Sequence, residues 1–453
     1  MKKLRLFILL LTVCLGLCTC AGKKSPAKAT DKLTEQHVIS DDSLLTLVEY
    51  RTFQYFWDGA EPVSGMARER YHVDNIYPEN DKDVVTTGGS GFGVMAVIAG
   101  IERGFIKRTE GYSRINHIVG FLKRADRFHG AWPHWLYGTT GKVKPFSTKD
   151  DGADIVETAY LMQGLLTARQ YFVNGSEAEK LLASKIDSLW RGVEWNWFTR
   201  GGGSVIYWHW SPDYGWQMNN PVTGYNECLI LYVLAASSPT YAVSPAVYHK
   251  GWARGGAIKG EHEKYGYVLS LNHNGAADYG GPLFWAHYSY LGLDPRHLKD
   301  TYANYWQENV NQALINWQWC TRNPGKFTGY SADCWGLSAS YSVNGYSAHS
   351  PGESFDLGVI SPTAAVSSIV YTPEQSLNAI KYFYYKLGDK IWGIYGYYDA
   401  FSEKDSWYPQ RYLAIDQGPQ VVMIENYRSG LLWNLFMSTQ EVKDGLQKLG
   451  FSY

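Results

Sequence analysis

The sequence is short of most features that mark the common function classes. Its charge nearly cancels, with 42 Lys and Arg against 43 Asp and Glu in 453 residues. No basic surplus points to nucleic acid, and no acidic surplus points to disorder. Six cysteines suggest a disulfide framework, but Cys14, Cys18 and Cys20 fall in the N-terminal segment. Cys228, Cys320 and Cys334 are left for the body of the chain, so no framework is expected. Cys320 and Cys334 could pair in an oxidising compartment or stay as buried thiols. Neither His-Glu-x-x-His nor Cys-x-x-Cys occurs, and Glu261, His262 and Glu263 lack the i, i+4 histidine pair that zinc needs. The glycine-rich stretch at 89–93 lacks the dinucleotide spacing, and no apolar strand precedes it. Ser90 has Phe92 where a nucleophile elbow needs glycine. Metalloprotease, nucleotide and nucleophilic-serine chemistries therefore lose support. Beyond the first twenty residues there is no long apolar run to span a bilayer.

The N-terminus has its own pattern. Lys2, Lys3 and Arg5 precede an apolar run at 6–17, which Cys18, Thr19 and Cys20 close. This reads as a lipoprotein signal peptide over 1–20, with Cys20 the lipidated residue; an ordinary cleaved signal is the alternative. Residues 21–37 read as a flexible tether and 38–453 as one domain. The expectation is an exported protein of the periplasm or cell envelope, held by a lipid anchor.

Helical patterns fill the rest. Candidates lie at 44–57, 91–103, 111–128, 155–172, 178–195, 224–236, 282–291, 302–316, 363–371, 373–387, 419–436 and 440–449. In 155–172, Ile155, Ala159, Met162 and Leu166 share one stripe at the 3.6-residue period. Connections rich in Gly, Trp and Tyr at 201–208 and 392–398 suit short strands or hairpins. A dozen helices without a linker fit an all-α (α/α)6 toroid of six inner and six outer helices. An irregular helical domain or two bundles would fit as well.

Three acidic places stand out. Asp150, Asp154 and Glu157 fall near one helical face, as a cleft cluster or simply as a cap and its box. Glu227 opens an otherwise apolar stretch, where burial raises a carboxyl towards general-acid duty; a first-turn glutamate stabilised by the helix dipole is the alternative. Asp416 precedes a proline-started helix, and Glu425 sits in an apolar run, where pairing with Arg428 at i, i+3 would satisfy it.

Aromatics make up 15% of the chain. Trp132, His134, Trp210, Tyr288 and Trp335 stand among them, as do Trp135, Trp208, Tyr346 and Trp407. Many must be core. Others, set in loops beside Asp, Asn, Arg and His, make the partly apolar, partly hydrogen-bonding surface that sugar rings need. Export, buried acids and aromatic loops together suggest glycoside hydrolysis, with one protonated and one ionised carboxyl. A glycan-binding lipoprotein would use the same aromatics without the acids.

Four motifs in order carry a resemblance: DGADIVETAYLMQG from Asp151, GYNE ending at Glu227, GPLFWAHY ending at Tyr288, and DQGP from Asp416. Together they resemble the bacterial glucoamylase-like proteins that include β-1,2-glucanases, glycoside hydrolase family 144, over nearly all of the chain after the tether. Members from Bacteroidetes are often lipoproteins. The resemblance implies an (α/α)6 toroid and an inverting mechanism with no metal and no cofactor. It implies Glu227 as acid and Asp416 as base, converging on opposite walls of one hollow. Asp150, Asp154 and Glu157 would be further acids of the cleft, and Tyr225, Trp285 and His287 join the aromatics as sugar contacts. The implied substrate is β-1,2-glucan, with a hydrolase of a different glucan as the alternative. The expected partners are an oligo- or polysaccharide and the membrane through the anchor alone, with no nucleic acid, for a monomeric chain.

Overall fold

The structure is a computed structural model in which residues 38–453 are described, Ala277 aside. The expected signal peptide, Cys20 and the whole of the expected tether lie outside the described residues. Ser40–Tyr453 forms one compact unit. Its longer helices are α1 (Asp41–Trp57), α2 (Thr87–Glu102), α3 (Arg108–Leu122), α4 (Ile155–Phe172), α5 (Glu177–Arg191) and α6 (Leu229–Ser237). They continue as α7 (Tyr305–Arg322), α8 (Pro362–Ser367), α9 (Pro373–Tyr385), α10 (Ala414–Ser429), α11 (Leu431–Met437) and α12 (Gln440–Lys448).

Side-chain pattern sorts these helices into two rings. α2, α4, α6, α8 and most of α10 are buried all round, as a helix wrapped by others must be. α5, α7, α9 and α12 keep one apolar face and one wet one. The inner ring runs α2, α4, α6, the turns at Leu283–Ala286 and Tyr288–Tyr290, α8 and α10, and α10 closes on α2. A hydrogen bond from the His287 ring to Ser368 Oγ (3.0 Å) and one from Tyr371 to the Ala286 carbonyl (2.8 Å) join the turns to the α8 segment. The fold is an (α/α)6 toroid whose fourth inner member is a pair of 3₁₀ turns, where the sequence suggested one helix over 282–291. α1, α3, α5, α7 and α9 flank the ring from outside, with α11 and α12 packed against α4 and α6.

Two local features set the inner spacing. Gly91 and Gly164 let α2 and α4 touch backbone to backbone: a methyl on Gly91 would strike the Tyr160 carbonyl, and one on Gly164 the Gly91 carbonyl. Gly430, at φ +68°, divides α10 from α11, so the single helix expected over 419–436 is two. The chain enters α10 at Ala414, five residues before Pro419, which places Asp416 inside the first turn rather than ahead of it. Glu425 does not pair with Arg428. It accepts two hydrogen bonds from Arg103 (2.5 and 3.0 Å), while Arg428 reaches Glu49 at 2.9 Å and Asp42 at 2.7 Å. Three buried thiols, Cys228, Cys320 and Cys334, are free.

Candidate active site

The N-terminal ends of the inner elements gather around one cavity of about 840 Å³. Short strands lead into three of these ends. Val84–Thr86 runs into α2, Ala153–Asp154 into α4 and Arg411–Leu413 into α10. The first pairs with Trp135–Tyr137, the second with His209–Trp210 and the third with Arg70–His72. A hairpin of Ala339–Ser342 and Gly345–Ala348 supplies Tyr341, Val343 and Tyr346 to the cavity wall. Trp135, Phe146, Trp208, Phe284, Tyr288 and Trp407 add further aromatic lining. Phe146 and Tyr346 stay half or more exposed, 50% and 58%.

Glu227 lines the cavity, in the turn ahead of α6. α6 starts at Leu229, later than the sequence suggested, because Asn226 Oδ1 captures the Cys228 N–H (3.0 Å) and Ser289 Oγ the Ile230 N–H (3.0 Å). The Glu227 carbonyl is held by the hydroxyls of Tyr160 (3.3 Å) and Ser289. Burial pushes the Glu227 carboxyl up to about 7, and the nearby Glu157 charge adds to the rise.

Glu157, the third residue of α4, also lines the cavity. It does not return to cap its own helix. It accepts the Gly88 N–H (2.7 Å) and the Thr86 hydroxyl (3.4 Å) across the ring instead. Burial lifts its carboxyl to about 7 against the opposing pull of His134. Asp154 is the cap: Oδ1 accepts the Val156 and Glu157 N–H groups (3.0 and 2.9 Å), and Oδ2 accepts His134 Nδ1 (2.8 Å) and Trp208 Nε1 (3.0 Å). Burial alone would raise Asp154, but these donors hold it below the usual carboxylate range. His134 shows the converse. Burial pulls it down, yet Glu157 and Asp154 together lift it to about 9, so it is an imidazolium at neutral pH. Asp150 lies behind, with His209 Nε2 at 3.2 Å. His134, Asp150 and Asp154 bring possible metal-ligand atoms within 4.8 Å of one another. Both Asp154 oxygens and His134 Nδ1 already serve hydrogen bonds, so the cluster fits an ion-pair network better than a metal centre.

Asp416, the third residue of α10, departs from the expectation of a shared hollow. Its neighbours Leu413 and Ile415 line the cavity, but its own side chain is not part of that lining and is buried at 1% exposure. Neither carboxyl oxygen meets an N–H or O–H donor among the described residues. Burial, with Asp399 close by, raises the Asp416 carboxyl well above the usual range.

Among the aromatic and histidine candidates, His134 and Tyr288 line the cavity. Trp132, Tyr225, His287 and Trp335 do not; all four are core. The Trp132 and Trp335 indoles donate to the carbonyls of Leu122 (3.1 Å) and Gln375 (3.2 Å). The Tyr225 hydroxyl bonds Asn309 (2.8 Å) and Tyr290 (3.0 Å), and burial drives His287 down to about 3, so it is neutral. Trp210 packs on His129, with ring centroids 4.9 Å apart, and Trp285 lies 6.3 Å from His273; both are outside the lining.

Several cavity residues escaped the sequence reading: Glu69, Arg70, His72, Tyr341 and Arg411. Burial raises the Glu69 carboxyl, and its ion pair with Arg70 opposes the rise. Asp399, beside Asp416, was missed too. It is a lone acid in the aromatic run 397–401, the same signal that singled out Glu425.

Known proteins resemble the chain closely. The profile of the family called Glycoamylase, described as "putative glucoamylase", matches residues 219–440. An exo β-1,2-glucooligosaccharide sophorohydrolase (non-reducing end) from Parabacteroides distasonis is 46% identical over 426 residues, 91% of this chain. The chain spans 58% of that protein's length. The structure of an endo-β-1,2-glucanase from Chitinophaga pinensis, a complex with sophorotriose and glucose, superposes with a TM-score of 0.91 at 65% identity. That match covers 92% of this chain and 99% of the other. The chain belongs to the bacterial glucoamylase-like family, glycoside hydrolase family 144.

Proposed function

We propose that the chain hydrolyses β-1,2-linked gluco-oligosaccharides by inversion. The observation that carries this is Glu227: a carboxyl on the wall of a large aromatic cavity, kept protonated towards neutral pH by burial. The names of the two relatives supply the linkage. Sugar rings stack against Trp135, Trp208 and Trp407, and Arg70, Arg411 and His134 offer hydrogen bonds at their edges. Glu227 gives its proton to the glycosidic oxygen as that bond breaks, while water attacks the anomeric carbon from the far side. The water's proton leaves towards Asp416, and because Asp416 is sealed off it travels by a relay. Export, an anchor on Cys20 and a monomeric state belong to the same proposal.

Incubation of the purified chain with linear β-1,2-glucan tests it. Short β-1,2-gluco-oligosaccharides released first as the α-anomer are expected, since inversion of a β-glycoside yields α. Tight binding without product would leave a glycan-binding protein, and turnover of other glucans alone would move the linkage.

A further inference from the structure

The Asp399 and Asp416 carboxyls are neighbours, each close enough to act on the other's ionisation. Asp399 is positioned by its own segment: its N–H donates to the Arg411 carbonyl (2.9 Å), on the strand that feeds α10. Its Oδ2 accepts the Tyr341 N–H (2.8 Å) from the hairpin that walls the cavity. Its Oδ1 and both Asp416 oxygens are buried without an N–H or O–H donor among the described residues. Three orphaned oxygens on two neighbouring buried carboxyls are costly unless a proton sits between them. Two carboxylates so placed do not both ionise, and one proton supplies the missing donor.

The other groups facing the pair do not remove the need for that proton. Glu69 adds negative charge and is itself engaged by Arg70. Arg411 lies over the Tyr341 ring, 5.4 Å from its centroid. Thr363 Oγ1 and Gln420 Nε2 donate to the Asp416 main-chain carbonyl (2.8 and 3.2 Å), not to its carboxyl. On the cavity side, the buried Tyr288 hydroxyl has no hydrogen-bond partner among the described residues and lies in the field of Asp416, Glu227 and Glu157.

We propose that Asp399 and Asp416 form a carboxyl pair that holds one proton at rest and takes a second from the attacking water, with Asp399 as the positioning residue of that unit. The inference rests on the hydrolase reading. In the step, the water oxygen bonds to the anomeric carbon, the glycosidic C–O bond breaks, and Glu227 protonates the leaving oxygen. The proton released by the water neutralises the pair. The pair then returns it to solvent, and Glu227 is reprotonated. Asp416 alone, sealed and without donors, would be a poorly held base; the pair gives it a fixed geometry and a single charge.

The test uses the full chain labelled with carbon-13 aspartate. Infrared spectra at neutral pH are expected to show a protonated aspartic acid carbonyl that disappears in both Asp399→Asn and Asp416→Asn. The amide of Asp399→Asn still accepts the Tyr341 N–H, so the fold is kept. Its kcat on β-1,2-glucan is expected to fall by about 10²-fold with KM little changed. Absence of the band from the parent protein, its persistence in Asp399→Asn, or a parental kcat in that variant overturns the proposal. A parent that shows the band yet turns over no β-1,2-glucan would remove the hydrolase reading and leave the shared proton standing.

Discussion

Glu227 and Glu157 are both pushed up to about 7, but their surroundings assign them different work. Glu157 accepts the Gly88 N–H at 2.7 Å and faces an imidazolium 3.9 Å away, partners that suit a carboxylate. No cation among the described residues contributes to the Glu227 shift, and burial dominates it. That is the environment of a proton donor. Replacing Glu227 with Gln should lower kcat by about 10²- to 10⁴-fold while the thermal unfolding midpoint stays put. Near-parental turnover would strip Glu227 of the role. The sign of the pH dependence follows from the same residue: the acid works only while protonated, so kcat/KM should fall as pH rises through about 7. A profile flat to pH 9 would contradict it.

At the scale of the element, strands that run straight into inner helices decide the site. Ala153–Asp154 delivers a cap whose second oxygen anchors His134 and Trp208. The ordinary value of His134 is 6.5 and its folded value about 9. Its raised value therefore contributes stability that is complete below about pH 6.5 and is lost as pH rises through about 9. Asp154→Asn keeps an oxygen for the helix N–H groups but removes the charge. The His134 titration, followed by NMR, should drop towards its ordinary value, and the loss of stability between pH 7 and 9 should shrink. An unmoved His134 would assign the shift to Glu157 and Asp150 alone.

At the scale of the whole molecule, the ring is clamped by charge as well as by packing. Glu49 of α1 and Glu425 of α10 are both buried, and Arg428 and Arg103 donate hydrogen bonds to them. Burial and the Glu425 charge push Glu49 up to about 8, against 4.5 unperturbed. The folded chain thus binds more protons than the unfolded one between those values, and stability falls as pH rises from about 4.5 to 8. Glu49→Gln should flatten that slope in chemical denaturation, and an unchanged slope would place its source elsewhere. Arg103→Met leaves Glu425 buried without its partner and should cost about 3–5 kcal/mol.

Much of the ring was readable in the sequence, because a 3.6-residue apolar period marks a helix with a buried face; 155–172, read from the stripe of Ile155, Ala159, Met162 and Leu166, matches its observed bounds. The acids were readable too, since a charge inside an apolar run must be paired, protonated or functional. Sequence alone did not show where each side chain points. Glu227 and Glu157 line the cavity and Asp416 does not, though Asp416 occupies the same third helical position as Glu157. Asp399 meets Asp416 only because the strand feeding α10 folds back beside residue 399. Local pattern determines which segments become buried helices, for burial and periodicity are properties of neighbours in the chain. Tertiary structure decides which carboxyl faces the cavity and which faces another carboxyl, because that contact joins residues with no constraint between them until the ring closes.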